Sequence, residues 1–341
     1  MATVKKLSET SYEVSVTRTG DELSHLKEHV LSHFKDAKVD GFRPGHVPAK
    51  VLEQKFQKEI EGEILNHIIS EEYQKAVVEN ELRPIADPRL EKYENKEGTV
   101  EVVFVIPVLP AITLGEYKGV EVEKENLDIT DEKVNAEIER LKEGAAKLKE
   151  VEADATAELN DDLAKELGYD SLEDLKVKTR ESLTKREETR INNEFKGKVV
   201  EAVVANTNVE VPAELTNREV EYQINRFAQQ LQMQGISLEQ YFQMTGQTLD
   251  KMREESREMA EKSVKTELVL SEITKAENIE VSDDEVNAEI DRMATMYGMD
   301  KEALLADVRK SGNYARFIDE TKYRLSHEKT IDLLVNSAKV K

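Results

Sequence analysis

Residues 41–48 read Gly41-Phe42-Arg43-Pro44-Gly45-His46-Val47-Pro48 and stand between two stretches of helical periodicity. Gly41 and Gly45 open backbone angles closed to other residues, while Pro44 and Pro48 fix φ and stop either neighbouring helix from running through. The stretch is therefore a shaped loop, with Phe42 and Arg43 at its apex. Aromatic and arginine side chains dominate interface energetics, and a guanidinium can hold a phosphate through two hydrogen bonds. Taken alone, these residues allow two readings: a docking tip, or an ordinary connector whose Phe42 folds back into the core.

On the N-terminal side, residues 11–18 alternate apolar and polar as a half-buried strand does. Asp21 is the expected N-cap of a helix whose stripe is Leu23, Leu26, Val30 and Phe34, at spacings of three and four. Beyond the loop, Val51, Leu52, Phe56, Ile60, Ile64, Leu65, Ile68 and Ile69 mark a second amphipathic helix reaching Asn80. Strand patterns return at 89–93 and 99–106, with 94–98 as a hairpin turn. These patterns predict a compact α+β module.

Residues 107–127 are punctuated by Pro and Gly and read as an extended connector, with a helix starting at Thr130. From Leu159 onward the pattern is almost wholly helical: about 171–205, then near 213–234, 248–277, 282–297 and 313–336, separated by Gly235, Gly246, Gly298 and Gly312. Val134, Ile138 and Arg140 recur as Val220, Ile224 and Arg226 and as Val286, Ile290 and Arg292. A repeated arm unit and a shared helix-start grammar both account for this, and Ser282 with Glu285 has capping-box spacing.

The motif Gly41-Phe42-Arg43-x-Gly45-x-x-Pro48, with Pro84-Ile85-Ala86-Asp87-Pro88 and Leu109-Pro110-Ala111-Ile112, resembles the trigger factor family of bacterial nascent-chain chaperones; the similarity resumes in the C-terminal half. The resemblance implies an α+β fold, with an N-terminal α+β ribosome-docking module at 1–111, a connector and helix at 112–150, and an elongated, mostly α-helical chaperone domain with arms at 151–341. It implies an ATP-independent chaperone that docks at the ribosomal tunnel exit through Gly41, Phe42, Arg43, Pro44, Gly45, His46 and Pro48. The implied partners are the large ribosomal subunit, through protein and ribosomal RNA, and unfolded or nascent polypeptides, with a homodimer off the ribosome. Roles in protein export and cell division also accompany the family. The family often carries Lys where this chain has Pro44 and His46, a departure in the electrostatic part of docking. A second departure is internal. The family normally inserts a prolyl isomerase domain of FK506-binding type, but here 143–148 run almost directly into 149–151, leaving no room for a domain of roughly a hundred residues. The expectation is a chain that is not an enzyme and has no prolyl isomerase activity.

The composition sets further bounds. Of 341 residues, 35% are charged and about 39% are apolar when Gly is counted and Tyr is not, against about 25% and 45–50% in ordinary domains, which suits long solvated helices and an elongated molecule. The formal charge is −22, yet residues 1–60 hold ten Lys/Arg and nine Asp/Glu, a net of +1, leaving −23 for the rest. Only the N-terminal part can approach RNA without strong repulsion, and no DNA partner is expected. The absence of cysteine excludes disulfides, thiol catalysis and Cys-ligated zinc. There is no signal-peptide pattern and no apolar run of roughly 18 residues, so the reading is cytoplasmic with no membrane partner. Nucleotide-binding and hydrolase motifs are missing, so no cofactor is expected.

His25, His29 and His33 lie one turn apart along one helical face. That spacing suits a metal chelate and equally a polar flank beside the Leu26/Val30 stripe, and no metal is assigned. Seven of the eight methionines fall between 233 and 299. Flexible thioethers adapt to varied partners, which makes Met233, Tyr241, Phe242, Met244, Met293, Met296, Tyr297 and Met299 client-binding candidates; core packing is the alternative. Two rival functions use the same features differently: a ribosome-independent holdase or assembly chaperone, and an inert helical scaffold.

Overall fold

A computed structural model describes residues 2–43, 45–96, 98–148 and 160–341. The chain begins with β1 (Ala2–Ser8), β2 (Ser11–Thr19), α1 (Gly20–His33), α2 (Ala49–Lys55), α3 (Gln57–Glu79), β3 (Arg89–Lys96) and β4 (Thr99–Pro107). It continues through β5 (Glu121–Val122), α4 (Asp131–Leu148), α5 (Asp161–Glu166), α6 (Leu172–Ala205), α7 (Ala213–Met233), α8 (Leu238–Thr245) and α9 (Leu249–Ala276). The remaining elements are α10 (Asp283–Met296), α11 (Lys301–Lys310), α12 (Tyr314–Ser337) and β6 (Lys339–Val340). The class is α+β, as the sequence indicates. Packing divides the chain into two units, each discontinuous: Met1–Thr113 with Asn208–Leu268, and Leu114–Thr207 with Val269–Lys341. This division by contacts differs from the chain-order segments 1–111, 112–150 and 151–341.

In the first unit an antiparallel sheet runs in the order β1-β2-β4-β3. Strand alternation puts Val14 and Val16 of β2 beside Val102, Phe104 and Ile106 of β4 on the buried face. Leu23 and Val30 of α1 cover them, as do Ile60, Ile64 and Ile68 of α3, spaced four apart so that all three share one stripe. Phe104 is fully buried, and truncating it to Ala would cost about 3–5 kcal/mol. Glu72 is buried in the same helix and is compensated by Arg18 of β2 and by Lys75 at 3.1 Å. In the Asn208–Leu268 segment, Val220 and Ile224 of α7 pack with Met252 and Ala260 of α9, and Phe227, Tyr241 and Phe242 lie against them.

The second unit packs α4 on α6 through Val134, Ile138, Leu175 and Leu183. Asp131 pairs with Arg180, and Glu137 with Arg186 at 2.9 Å. Lys196 of α6 meets Asp332 of α12 at 2.6 Å. At the chain's end β6 pairs in parallel with β5, the Lys339 N–H donating to the Val120 carbonyl at 2.9 Å.

Several local expectations are corrected. Thr19, extended at φ −142°, is the N-cap of α1, while Asp21 sits in the first turn, where its charge complements the helix dipole. The helix expected from 51 to 80 is two helices broken at Phe56 (φ −116°, ψ 30°), whose ring packs 5.6 Å from that of Phe34. β1, α8, α11 and the β5/β6 pair were not anticipated. Glu97 of the 94–98 turn and the 149–151 junction lie outside the described residues. The capping box of α10 is formed as expected: Ser282 accepts from the Glu285 N–H, and the Glu285 carboxylate accepts from the Ser282 N–H. In all three occurrences of the Val/Ile spacing the aliphatic pair is buried.

Candidate functional site

The loop after α1 is held at several points below its apex. The Phe34 ring packs on Phe56, and Val39 is buried to 8% exposure. The Gly45 N–H donates to the Lys35 carbonyl at 2.9 Å across the loop, and the Phe42 N–H donates to the Val39 carbonyl at 3.0 Å. Gly41 (φ +88°) and Gly45 (φ +83°) both occupy the left-handed region, so any side chain there would strain the turn.

At the apex the Phe42 side chain points out, 41% exposed, so the fold-back reading does not hold. Gly41, Arg43, Gly45, His46 and Pro48 are exposed beside it, and Pro44 lies outside the described residues. Arg43 makes no ion pair among the described residues, and neither do Lys35, Lys38 or Lys50. Residues 34–50 carry four Lys/Arg against Asp36 and Asp40, a local net of +2 in a chain of −22. Such a tip offers one aromatic anchor and unneutralised cations, a combination that fits an anionic or mixed surface.

The methionine-rich segment divides by burial. Met252 joins the core of the α7–α9 segment, and Tyr241 and Phe242 are half-buried against it, their rings 6.1 Å apart. By contrast, Met233 is 83% exposed at the end of α7 and Met244 78% exposed near the end of α8. In the second unit Met296, Tyr297 and Met299 are exposed around the α10–α11 turn, and Met293 is half-buried. Tyr222 and Met259, which the candidate set omits, are also exposed apolar side chains of the α7–α9 segment. Sequence could not sort these residues, because methionine serves a core and a surface equally well.

These two features, a cationic aromatic loop and exposed thioethers on helices, occur on a chain that matches two family models. The model described as bacterial trigger factor protein C-terminus matches residues 171–336, and the one described as bacterial trigger factor protein matches residues 1–141. A trigger factor from Fusobacterium nucleatum is 30% identical over 426 aligned positions, covering 98% of this chain and 99% of that one.

This chain belongs to the trigger factor family.

Trigger factors from Pediococcus pentosaceus and Clostridioides difficile are 29% and 28% identical, covering 92% and 89% of this chain. A solved trigger factor chaperone, studied for promiscuous substrate recognition in folding and assembly, matches with a TM-score of 0.62 at 17% identity and covers 98% of this chain, a likeness of fold. The 426 aligned positions exceed the 341 residues present by 85, so the Fusobacterium relative carries sequence that this chain lacks. No isomerase domain is among the family models matched; the two that match leave 142–170 between them. The family is one of chaperones, and that role extends to this trigger factor family member. Among the described residues no helix is long and apolar enough to cross a membrane.

The histidines are arranged differently from the sequence reading. His29 and His33 stand with ring centroids 4.9 Å apart, and the next ring is His67 of α3, 5.6 Å from His29, rather than His25. Glu63, also on α3, meets Nδ1 of His33 at 3.0 Å. Among the described residues no group of three or more His, Asp or Glu side chains could hold a metal ion.

Proposed function

We propose that this protein is an ATP-independent chaperone that docks at the ribosomal tunnel exit and shields hydrophobic segments of nascent chains. Docking is assigned to Phe42 and Arg43, shaped by Gly41, Gly45 and Pro48, with Pro44 and His46 completing the loop. The observation that carries the reading is the outward Phe42 beside an unpaired Arg43 on a pinned loop with local positive charge. Ribosomal RNA supplies the phosphate and a large-subunit protein supplies the apolar contact.

Client contact is assigned to Met233, Met244, Met293, Met296, Tyr297 and Met299, with Tyr241 and Phe242 supporting them. Many small apolar contacts, each worth about 25 cal/mol per Å² buried, give weak binding that ends when the client buries its own surface. No nucleotide is then needed for release. The site of action is the cytoplasm, self-association occurs off the ribosome, and prolyl isomerisation is not part of the activity.

Co-sedimentation with ribosomes tests docking. Phe42→Ala/Arg43→Ala should weaken binding at least about tenfold, since truncating an interface hot spot costs about 2 kcal/mol or more. Wild-type binding should also fall with added salt. A wild type that fails to pellet would leave free-solution holding as the function, a reading that the exposed methionines serve without the loop.

A further inference from the structure

We infer that Met233 and Met244 form an oxidant-accepting modification site, where conversion of the two thioethers to sulfoxides weakens the hold on apolar segments and enzymatic reduction restores it. Met233, the last residue of α7, and Met244, in the last turn of α8, are more exposed than any other described methionine. The chain has no cysteine, so no thiolate of its own competes with the thioethers for an oxidant. Residues 227–249 hold a single charged side chain, Glu239, in a chain that is 35% charged. On so nearly neutral a stretch, the polarity of the two exposed sulfurs largely decides how apolar the surface is.

The step is a two-electron oxidation of sulfur by a peroxide. A sulfur lone pair attacks one oxygen of hydrogen peroxide, the S–O bond forms as the O–O bond breaks, and the second oxygen leaves as water. A dithiol-dependent methionine sulfoxide reductase runs the return: its two thiols become a disulfide and the sulfoxide oxygen departs as water. Burial separates a switch from a lesion. Met252 is 9% exposed in the core of the α7–α9 segment, where a sulfoxide would bring an unpaired dipole into apolar packing. Met233 and Met244 lie outside that core, and no residue of α8 is fully buried, so a sulfoxide at either position is solvated and the fold is kept. What changes is the surface, because an apolar side chain becomes a polar hydrogen-bond acceptor. The consequence for holding rests on the client contact proposed for the same residues.

Limited treatment of the full chain with hydrogen peroxide, followed by peptide mass mapping, tests the site. Met233 and Met244 should each gain one oxygen first, and Met252 last. After the peroxide is removed, suppression of the aggregation of thermally unfolded luciferase should fall severalfold at unchanged circular dichroism. Incubation with reductases for both sulfoxide epimers should restore it. Met233→Leu/Met244→Leu, compared with its own untreated level, should lose little on the same exposure. Oxidation of Met252 in step with Met233 and Met244, or full retention of holding once both are sulfoxides, would overturn the switch. So would an equal fractional loss in the leucine variant, which would place the sensitivity elsewhere. Failure of the client contact itself reads differently: untreated Met233→Ser/Met244→Ser would hold luciferase as well as wild type, and the switch would fall with it.

Discussion

A Cβ built on Gly115 would fall 2.1 Å from the carbonyl oxygen of Asn206, where the connector passes the end of α6. The obstacle is backbone, so neither side can yield by rotating a side chain. The Asn206 side-chain amide donates to the Glu116 carbonyl at 3.1 Å and holds the same contact closed. Gly115→Ala should therefore destabilise the second unit by about 2 kcal/mol, read as a lowered melting temperature; an unchanged melting point would refute the close approach. Glu289 offers a titratable counterpart. It is 8% exposed, and a two-pronged hydrogen bond from Arg292, joined by Arg324, holds its carboxyl down to about 2. A carboxyl depressed in the folded state stabilises fully above its ordinary range near 4.5 and loses that contribution as pH falls toward 2. Glu289→Gln should be less stable than wild type at pH 7 by about 2 kcal/mol, and the gap should close near pH 2 in denaturation curves. A gap that persists in acid would assign the loss to packing instead. Gly115 meets Asn206 91 positions away, and Glu289 adds to the nearby Arg292 a second cation, Arg324, 35 positions away, so neither arrangement was fully legible.

Among the elements, legibility followed length and periodicity. The long helices α6, α7, α9 and α12 show their stripes over many turns, and their observed ends lie within two residues of the expected ones. The short α8 and α11 gave too few repeats, and the two-residue β5 and β6 gave none. β1 was hidden because it is a mostly exposed edge strand with little burial to impose alternation. The break at Phe56 was hidden because both flanking helices keep the same apolar grammar. For the candidate site, the Gly/Pro loop was legible because glycine conformation is a local property. The ring contact of His67 with His29 was not legible, since it forms only after α1 and α3 pack. The methionines test the client surface at this scale. Met233→Ser/Met244→Ser/Met296→Ser alters exposed side chains and should leave the melting temperature nearly unchanged, within about 0.5 kcal/mol per site. Suppression of aggregation of an unfolded client should fall severalfold. Full retention of that activity would remove these side chains from the client surface.

For the molecule as a whole, charge and chain order divide the labour. The N-terminal stretch that carries the loop nets +1 over residues 1–60, while the remaining residues net −23, a surface that resists non-specific self-association. Each packed unit draws on both halves of the sequence, and the chain-order domain reading could not show this because it follows composition rather than contact. The central claim is that loop and helical surface act together: Phe42 and Arg43 place the exposed methionines where a nascent chain emerges. Photo-crosslinking from position 244 to a nascent chain on stalled ribosomes, in wild type and in the Phe42→Ala/Arg43→Ala background, tests this directly. The account predicts a crosslink that is lost in the loop variant, while crosslinking to an unfolded client in free solution is unchanged. A nascent-chain crosslink of equal strength in both backgrounds would contradict it.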